Sequence, residues 1–274
     1  MSPRTHARPA AGILAGLVAL ALAGCSTDAG DSASAAPGTD DSLSSVLDSG
    51  TLTVATEGTY RPFSFHEDGT GDLTGYDVEV IEAVADELGV ETRFEETQWD
   101  AIFAGLDAGR FDVIANQVSI TPDREESYTF STPYTVSTGV IVVREDDDSI
   151  GSFADLDGKI TAQSLTSNWY ALATESGAQV EAVEGWAQAI TLLEQRRVDA
   201  TINDSLTWLD HQQQTGAGGL KVAAETDEQS LSAFAFRRGS TALADAVDEA
   251  LATLAADGTL TTISEKYFGQ DVSR

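Results

Sequence analysis

Hydrophobic residues recur along the first half of the chain with two alternating periods, which predicts a succession of strands and helices. TLTVAT (51–56) is rich in β-branched residues and is typical of a strand. YDVEVIEAVADELG (76–89) spaces its apolar residues three and four positions apart and ends on glycine, as amphipathic helices do. WDAIFAGLDAG (99–109) repeats this helical design, and FDVIANQV (111–118) returns as a strand.

The same alternation continues in the second half. Strands and helices are predicted in turn at KITAQSL (159–165), SNWYALATESG (167–177), VEAVEG (180–185), WAQAITLLEQRR (186–197) and VDATIND (198–204). A long amphipathic helix follows at residues 240–258, with Ser240 as its expected N-cap and Gly258 as its stop. Alternating strands and helices favour an α/β fold built on parallel sheets.

Two of these segments are related to each other. WDAIFAGLDAGRFDVIAN (99–116) aligns without gaps over WAQAITLLEQRRVDATIN (186–203), at a constant offset of 87 residues. The matched identities are Trp99/Trp186, Leu106/Leu193, Arg110/Arg197, Asp112/Asp199 and Asn116/Asn203. A shared helix–strand design can arise by chance in an α/β protein, but a gap-free register predicts two structurally equivalent lobes. The repeated strands then end at Gln117 and Asp204.

Composition and charge exclude one class of partner. The chain is 42% hydrophobic and 22% charged, as in ordinary globular proteins. Its net charge of -30 excludes nucleic acid as a partner, because no basic stripe is available to neutralise phosphates. Such an excess of charge favours solubility and carries no information about the fold.

The N-terminus is typical of a targeting segment. Arg4 and Arg8 precede an apolar stretch at residues 10–24, which is short for a membrane span. This stretch ends in LAGC, with Cys25 as the one cysteine of the chain, and resembles a bacterial lipobox. A plain signal peptide with an incidental cysteine is the alternative. We expect a lipoprotein signal peptide at 1–24, lipidation of Cys25 and a flexible acidic linker at 25–42.

ANQVSITPDR (115–124) marks the candidate site, because open α/β sheets bind ligands beyond the carboxyl ends of their strands. Arg124 suits a carboxylate, which guanidinium binds in a bidentate manner. An ion pair with a neighbouring acidic residue (Asp123, Glu125 or Glu126) is the alternative. Asp204 occupies the equivalent strand end in the second lobe and suits an ammonium group, or else simply caps the helix that follows.

Further candidates surround these two charges. Thr166 and Ser167 lie at a strand-to-helix junction that offers backbone N–H groups to an anion, although ordinary capping explains them equally well. Tyr60 and Trp99 can supply an aromatic wall or belong to the core. We expect no enzyme, no cofactor and no metal, since the chain outside the leader has His66 and His211 without ligand spacing and no nucleophile motif.

Several motifs in fixed order resemble the solute-binding proteins of bacterial polar amino-acid ABC importers, family 3. They are VATEGTYRPFSF, GYDVEV, WDAIFAGLDAGRFDVIANQVSITPDR, YTFSTPY and DGTLTTISEKYFG, and the likeness extends from Thr51 to Val272. The resemblance implies a type II periplasmic-binding-protein-like fold, in which two open α/β sheets are joined by two crossover hinge strands. Lobe 1 would comprise 43–138 with 236–274 and lobe 2 would comprise 139–235, with hinges near 138–142 and 232–236.

The resemblance also implies roles for the candidate residues. Arg124, Ser119, Thr166 and Ser167 would bind an α-carboxylate, Asp204, Gln117 and Ser119 an α-ammonium, and Tyr60 and Trp99 the sides of the ligand. Glu57 would contact the distal side chain. One zwitterionic amino acid would thus explain opposite charges on opposite lobes.

ANQVSIT, SLTSNW and SEKYFGQDV are most similar to the cystine-binding branch, so cystine or another polar amino acid is the expected ligand. The implied protein is a monomer, lipid-anchored outside the cytoplasm, that closes on its ligand and delivers it to a membrane ABC permease. A dehydratase-like enzyme on the same fold, or a receptor that senses without transport, are the alternatives.

Overall fold

The computed structural model describes residues 40–216 and 218–273. The expected signal peptide, Cys25 and the linker as far as residue 39 lie outside these residues. The described part of the chain contains no helix with the length and apolar character that a membrane crossing needs.

Nine helices and twelve strands are present in the described residues. The helices are α1 Ser42–Ser49, α2 Tyr76–Leu88, α3 Trp99–Asp107, α4 Pro122–Glu125, α5 Asn168–Glu175, α6 Trp186–Glu194, α7 Ser205–Thr215, α8 Thr241–Asp257 and α9 Thr259–Phe268. The strands are β1 Thr51–Thr56, β2 Thr59–Tyr60, β3 Ser64–His66, β4 Leu73–Thr74, β5 Glu91–Glu96, β6 Val113–Ser119, β7 Tyr128–Phe130, β8 Thr135–Arg144, β9 Ile160–Gln163, β10 Gln179–Ala182, β11 Ala200–Asp204 and β12 Leu220–Arg237. Every strand and helix predicted from hydrophobic periodicity is among them.

The main sheet has nine strands and contains two groups of parallel strands, one in each lobe, which confirms the predicted two-lobed α/β fold class. In lobe 1, β1 lies between β5 and β6 and pairs with both in parallel. In lobe 2, β9 lies between β10 and β11, again in parallel. The strand order β10-β9-β11-β8-β12-β6-β1-β5 shows that β8 and β12 connect the two groups.

The two connecting strands are antiparallel to each other and long. The far end of β12, at Ser232–Phe236, pairs with β6 of lobe 1, whereas its beginning pairs with the second half of β8. Their register shifts between Glu225 and Gln229, at the passage from one lobe to the other. The expected lobe limits, with changes at 138/139 and 235/236, stay predictions.

Each sheet is covered on both faces by apolar side chains. The larger core of lobe 1 joins β1 to α2, α8 and α9 through residues such as Val54, Ile81 and Leu251. A second cluster, which includes Ile102 and Leu106, packs α3 against the opposite face. Lobe 2 has the same arrangement, with α6 and α5 on opposite faces. Burial on both faces explains why central strands such as β1 and β6 are buried along almost their whole length.

The N-terminus of α8 corrects one expectation. Ser240 occupies the N-cap position, but its side chain makes no capping hydrogen bond. The cap comes from Asp40, whose Oδ2 accepts the N–H of Ala242 at 2.6 Å, and from Ser42, whose Oγ accepts the N–H of Leu243 at 3.2 Å. The hydrogen bond from Ala242 holds the pKa of Asp40 well below its usual range. A periodicity argument finds where a helix begins, but not a capping group from a distant segment.

Candidate functional site

The sequence repeat is also a structural repeat. Helices α3 and α6 begin and end 87 residues apart, and β6 and β11 begin at the same offset. Asp112 Oδ2 accepts the N–H of Thr53 at 2.9 Å, and Asp199 Oδ2 accepts the N–H of Ile160 at the same distance. In each lobe, therefore, one aspartate fixes the start of the repeated strand to its neighbour.

A cavity of about 370 Å³ lies between the two lobes, at the ends of these strands. Five predicted site residues line it: Glu57, Tyr60, Trp99, Gln117 and Ser167. The other predicted residues, Arg124, Asp204, Ser119 and Thr166, are not part of its lining: the first three are buried and Thr166 is exposed. Sequence reasoning assigned no site role to further lining residues, among them Asn116, Gln163, Trp169, Glu184 and Trp186.

Arg124 is buried and positively charged, without an acidic partner. It lies in α4, where the Thr121 side chain accepts its backbone N–H. Its guanidinium donates to the carbonyl of Ser119 at 2.8 Å and to that of Thr166 at 3.2 Å, and lies 5.4 Å from the ring centre of Trp99. Burial lowers its pKa to about 10, so that it stays protonated at neutral pH. No ion pair in the described ranges involves it, so the alternative of a local salt bridge is wrong.

Asp204 is the opposite case, a buried carboxylate without a cationic partner among the described residues. Its Oδ1 accepts the N–H of Leu206 at 2.9 Å and caps α7, and its Oδ2 accepts the hydroxyl of Ser137. Burial raises its pKa to about 6. The capping alternative is therefore correct as a local description. Capping leaves lone pairs of the Asp204 carboxylate available, because its two oxygens offer about four acceptor positions.

Gln117, the lobe 1 counterpart of Asp204, has a left-handed backbone with φ of 49°. Its backbone N–H and its Nε2 both donate to Asp77, at 2.6 and 2.7 Å, and Nε2 also donates to Thr135 Oγ1 at 3.1 Å. Its Oε1 is buried and has no hydrogen-bond partner among the residues described. Two more atoms of cavity-wall residues, Gln163 Nε2 and Trp99 Nε1, are also buried and have no hydrogen-bond partner among the residues described.

Glu57 is held at the lobe 1 side of the cavity by Asn116, a residue of the repeat. Asn116 Nδ2 donates to the Glu57 carboxylate at 2.7 Å, and its Oδ1 accepts the backbone N–H of Glu57 at 2.9 Å. Burial raises the pKa of Glu57 to about 7, and the charges of Asp100 and Glu184 act in the same direction. The repeated Asn116/Asn203 pair was the sequence signal that could have identified Asn116 as a residue of the site.

The remaining predicted residues connect the two lobes or cap helices. Tyr60 donates its hydroxyl to Asn203 Oδ1 at 2.9 Å, across the cleft. Thr166 donates its hydroxyl and its N–H to Asp100 Oδ1, at 2.8 and 3.1 Å, again across the cleft. Ser167 caps α5, since its Oγ accepts the N–H of Tyr170 at 3.0 Å. The Ser119 hydroxyl accepts from Ser230 at 3.2 Å.

Comparison with known proteins decides the family. The sequence model of the bacterial extracellular solute-binding proteins, family 3, matches residues 52–270. The chain belongs to this family. Among its family 3 relatives, the L-cystine-binding protein TcyA of Bacillus subtilis (strain 168) is 50% identical over 258 residues, which cover 94% of this chain and 95% of that protein.

Two solved structures are similar to this family 3 protein. The L-cystine solute receptor of Neisseria gonorrhoeae, in its unliganded open conformation, is 46% identical, with 85% of this chain and 98% of that chain covered, and has a TM-score of 0.57. An ancestral arginine-binding protein bound to arginine is only 34% identical, with 80% and 99% covered, yet its TM-score is 0.75. The overall geometry is thus closer to the ligand-bound structure, in agreement with the hydrogen bonds that join the lobes.

Proposed function

We propose that this protein captures a zwitterionic amino acid by lobe closure and delivers it to the permease of an ABC importer. One observation carries the proposal. Arg124 and Asp204 are buried charges of opposite sign on opposite lobes, and neither has a partner of opposite charge among the described residues. An unpaired buried charge is costly. A single α-amino acid between the lobes would neutralise both, and would be released when the lobes part.

The proposed contacts follow from this arrangement. Arg124 binds the α-carboxylate, supported by the polar groups of Ser119, Thr166 and Ser167. Asp204 and Gln117 accept from the α-ammonium, and Tyr60 and Trp99 flank the ligand. The lobe limits are those expected from the sequence, 43–138 with 236–274 and 139–235. Closure would move one lobe against the other about β8 and β12.

L-cystine is the proposed ligand. Two features support it: the L-cystine-binding relatives, and the acidic side of the cavity at Glu57 and Glu184. Cystine carries an amino-acid group at each end, so that one end would occupy the Arg124/Asp204 pair and the ammonium of the other would meet Glu57. A ligand without a distal cation, such as glutamine or glutamate, would leave Glu57 without a partner of opposite charge.

We place the mature protein outside the cytoplasm, as a monomer anchored through a lipid on Cys25. The support is the LAGC sequence and the absence of a second cysteine in the chain. Mass spectrometry of the membrane-extracted protein should give an N-terminal lipid-modified cysteine, and Cys25→Ala should release the protein from the membrane fraction. An unmodified mature N-terminus would contradict the anchor.

Calorimetric titration of the purified protein tests the ligand. L-cystine should bind with one site, and more tightly than arginine, glutamine, glutamate or histidine. Glu57→Gln should weaken cystine, with its distal ammonium, more than glutamine, which has none. No heat with cystine but strong heat with another amino acid would contradict the cystine assignment and keep the amino-acid site. No heat with any amino acid would contradict the function itself.

A second candidate, an enzyme of the dehydratase type on this fold, is favoured by Glu57 alone. A cavity carboxyl with a pKa near 7 has the properties of a general acid. Turnover of a cyclohexadienyl substrate by the wild-type protein, and its loss in Glu57→Gln, would support this function. Tight amino-acid binding without turnover would exclude it.

A further inference from the structure

Asp77 is a fully buried carboxylate that sequence reasoning did not single out. It lies in the first turn of α2 and has no exposed surface. The backbone of this turn approaches the neighbouring segment closely, since the N–H of Asp77 donates to the carbonyl of Phe63 at 3.0 Å. Gly75 permits this approach: its φ is 137°, and a Cβ there would collide with the Phe63 carbonyl oxygen. The chain thus positions a carboxylate behind the cavity wall.

The contacts of Asp77 determine which atom of the Gln117 amide points away from it. An ionised carboxylate only accepts hydrogen bonds, whereas a glutamine amide has one donor side and one acceptor side. Asp77 Oδ2 takes the backbone N–H of Gln117 and Oδ1 takes its Nε2. Rotating the amide by half a turn would place Oε1 against Oδ1, two acceptors in contact. When Asp77 is ionised, Nε2 must therefore point to Asp77, and Oε1 must point away from it.

The amide orientation of Gln117 matters because this residue lies in the cavity wall. Its Oε1 is a buried acceptor without a partner in the part of the chain that the structure describes. The equivalent strand end of lobe 2 carries Asp204, another acceptor. Two acceptors at equivalent strand ends suit a ligand group that only donates, and a primary ammonium has three N–H donors and no acceptor.

We propose that Asp77 is a positioning residue that presents Gln117 Oε1 to the ligand and thereby makes the site selective for a primary ammonium. This inference rests on the proposed function, because it assigns one end of an amino-acid ligand to Gln117. Asp77 itself does not touch the ligand. It acts by excluding the opposite amide orientation, in which Nε2 would face an ammonium and repel it.

Asp77→Asn tests this with almost no change of shape. The Oδ1 of the introduced asparagine can still accept the backbone N–H of Gln117, but its Nδ2 then donates to Gln117 Oε1 and turns Nε2 towards the cavity. Affinity for L-cystine should fall about 10- to 100-fold, as for losing a hydrogen bond to a charged group. Thr135→Val is the matched control. It removes the other acceptor of Nε2 and leaves Asp77 in place, so affinity should stay within about twofold.

A second variant separates positioning from a merely structural role. Adding Gln117→Glu to Asp77→Asn exchanges amide and carboxylate. The Nδ2 of the introduced asparagine then donates to one oxygen of the introduced glutamate, and the other oxygen faces the cavity. The double variant should regain cystine affinity to within about fivefold of wild type. Thermal unfolding should show that both variants are folded. A double variant no better than Asp77→Asn would overturn the proposal.

The ligand can be varied as well. 3,3′-Dithiodipropionate has the disulfide and both carboxylates of cystine but no ammonium. Asp77→Asn should weaken cystine while leaving the binding of this analogue, measured by competition, at its wild-type level or above. Equal losses for both ligands would mean that Asp77 only supports the fold. If wild type binds no amino acid, the proposed function fails; if wild type binds cystine and Asp77→Asn binds it equally, only the role of Asp77 fails.

Discussion

The two repeated strand ends have the same scaffold and carry different chemistry. β6 and β11 each follow a nine-residue helix, and each is fixed to its neighbour by an aspartate. At the position that follows the shared asparagine, the two lobes have different residues. Gln117 adopts a left-handed backbone and is held by Asp77, whereas Asp204 is extended and caps α7. The shared residues build the edge of the cavity, and the residues that break the repeat determine what it can bind.

The divergence extends to charge. Lobe 1 places the cation Arg124 a few residues beyond its strand end, and lobe 2 places the anion Asp204 at its own. Two identical lobes would present charges of the same sign to a ligand. Two diverged lobes offer opposite signs, which suits a zwitterion and makes binding depend on both lobes at once.

The largest effect should come from the cation of lobe 1. Arg124→Ala should cost about 2–5 kcal/mol of binding free energy, a rise in Kd of roughly 30-fold to several thousandfold, because a buried carboxylate of the ligand loses its partner. Calorimetry with L-cystine measures it. Arg110→Ala, at an exposed arginine of the repeat, is the matched control and should bind as wild type. Unchanged affinity in Arg124→Ala would remove the anchor role.

The anion of lobe 2 should have the next largest effect, and its two roles can be separated. Asp204→Asn should raise the Kd for cystine about 10- to 100-fold, since the charge is lost, but keep the free energy of unfolding within about 0.3 kcal/mol of wild type, because asparagine caps helices about as well as aspartate. Asp204→Ala should lose the affinity and also about 1 kcal/mol of stability. Urea unfolding distinguishes them. Wild-type affinity in Asp204→Asn would show that its capping role is its whole role.

Buried carboxyls on both lobes predict opposite pH trends for stability and affinity. Burial raises the pKa of Glu57 and Asp77 to about 7 and of Asp204 to about 6. Because these pKa values are higher in the folded state, these groups favour folding most below about pH 4, and their contribution is lost as the pH rises through about 6–7. The ligand-free protein should thus melt at a higher temperature at about pH 5.5 than at about pH 8.

Cystine affinity should rise over the same pH interval, since an ammonium binds the ionised carboxylates. Glu57→Gln should reduce both slopes, and Glu95→Gln, in an edge strand away from the cavity, should reduce neither. A melting temperature that rises over this interval in the ligand-free protein would contradict the assignment of these groups as buried and unpaired.

The smallest effects should come from the aspartate that the two lobes share at the start of the repeated strand. Asp112→Ala and Asp199→Ala should each cost about 1 kcal/mol of unfolding free energy, since each removes an acceptor for a strand N–H, and should leave cystine affinity within about twofold. Asp123→Ala, at an exposed position, serves as the control. Clearly unequal losses would mean that the repeat is conserved in geometry but not in energetics.

The sequence predicted those parts of the structure that depend on short spacings. Hydrophobic periods located β1 and α2 almost to the residue. The offset of 87 placed Gln117 and Asp204 at equivalent positions, but the expected strand end at Gln117 was wrong, because β6 continues to Ser119 whereas β11 ends at Asp204. The chemistry of Arg124 followed from its sign in an acidic chain. The choice between ligand anchor and local ion pair required the structure, because it depends on which carbonyls and rings surround the guanidinium.

What the sequence did not predict depends on contacts between distant segments. Asp77 lies in the first turn of a helix, where an acidic residue is expected for its favourable interaction with the helix dipole. Only its packing against Gln117, 40 residues away, distinguishes it from a surface carboxylate. Gln163 could not be identified for the same reason, since it is a polar residue at the end of a buried strand. The cap of α8 by Asp40 bridges an even longer separation.

The tryptophans of the cavity wall have a practical consequence. Of the four tryptophans in the chain, Trp99 belongs to lobe 1 and Trp169 and Trp186 to lobe 2, and all three line the cavity. The protein therefore contains its own optical reporter. Light emission from indole responds to the polarity around the ring, so ligand entry and the approach of the lobes should change it without any attached dye. Rapid mixing could then time the closure itself, in the unmodified protein.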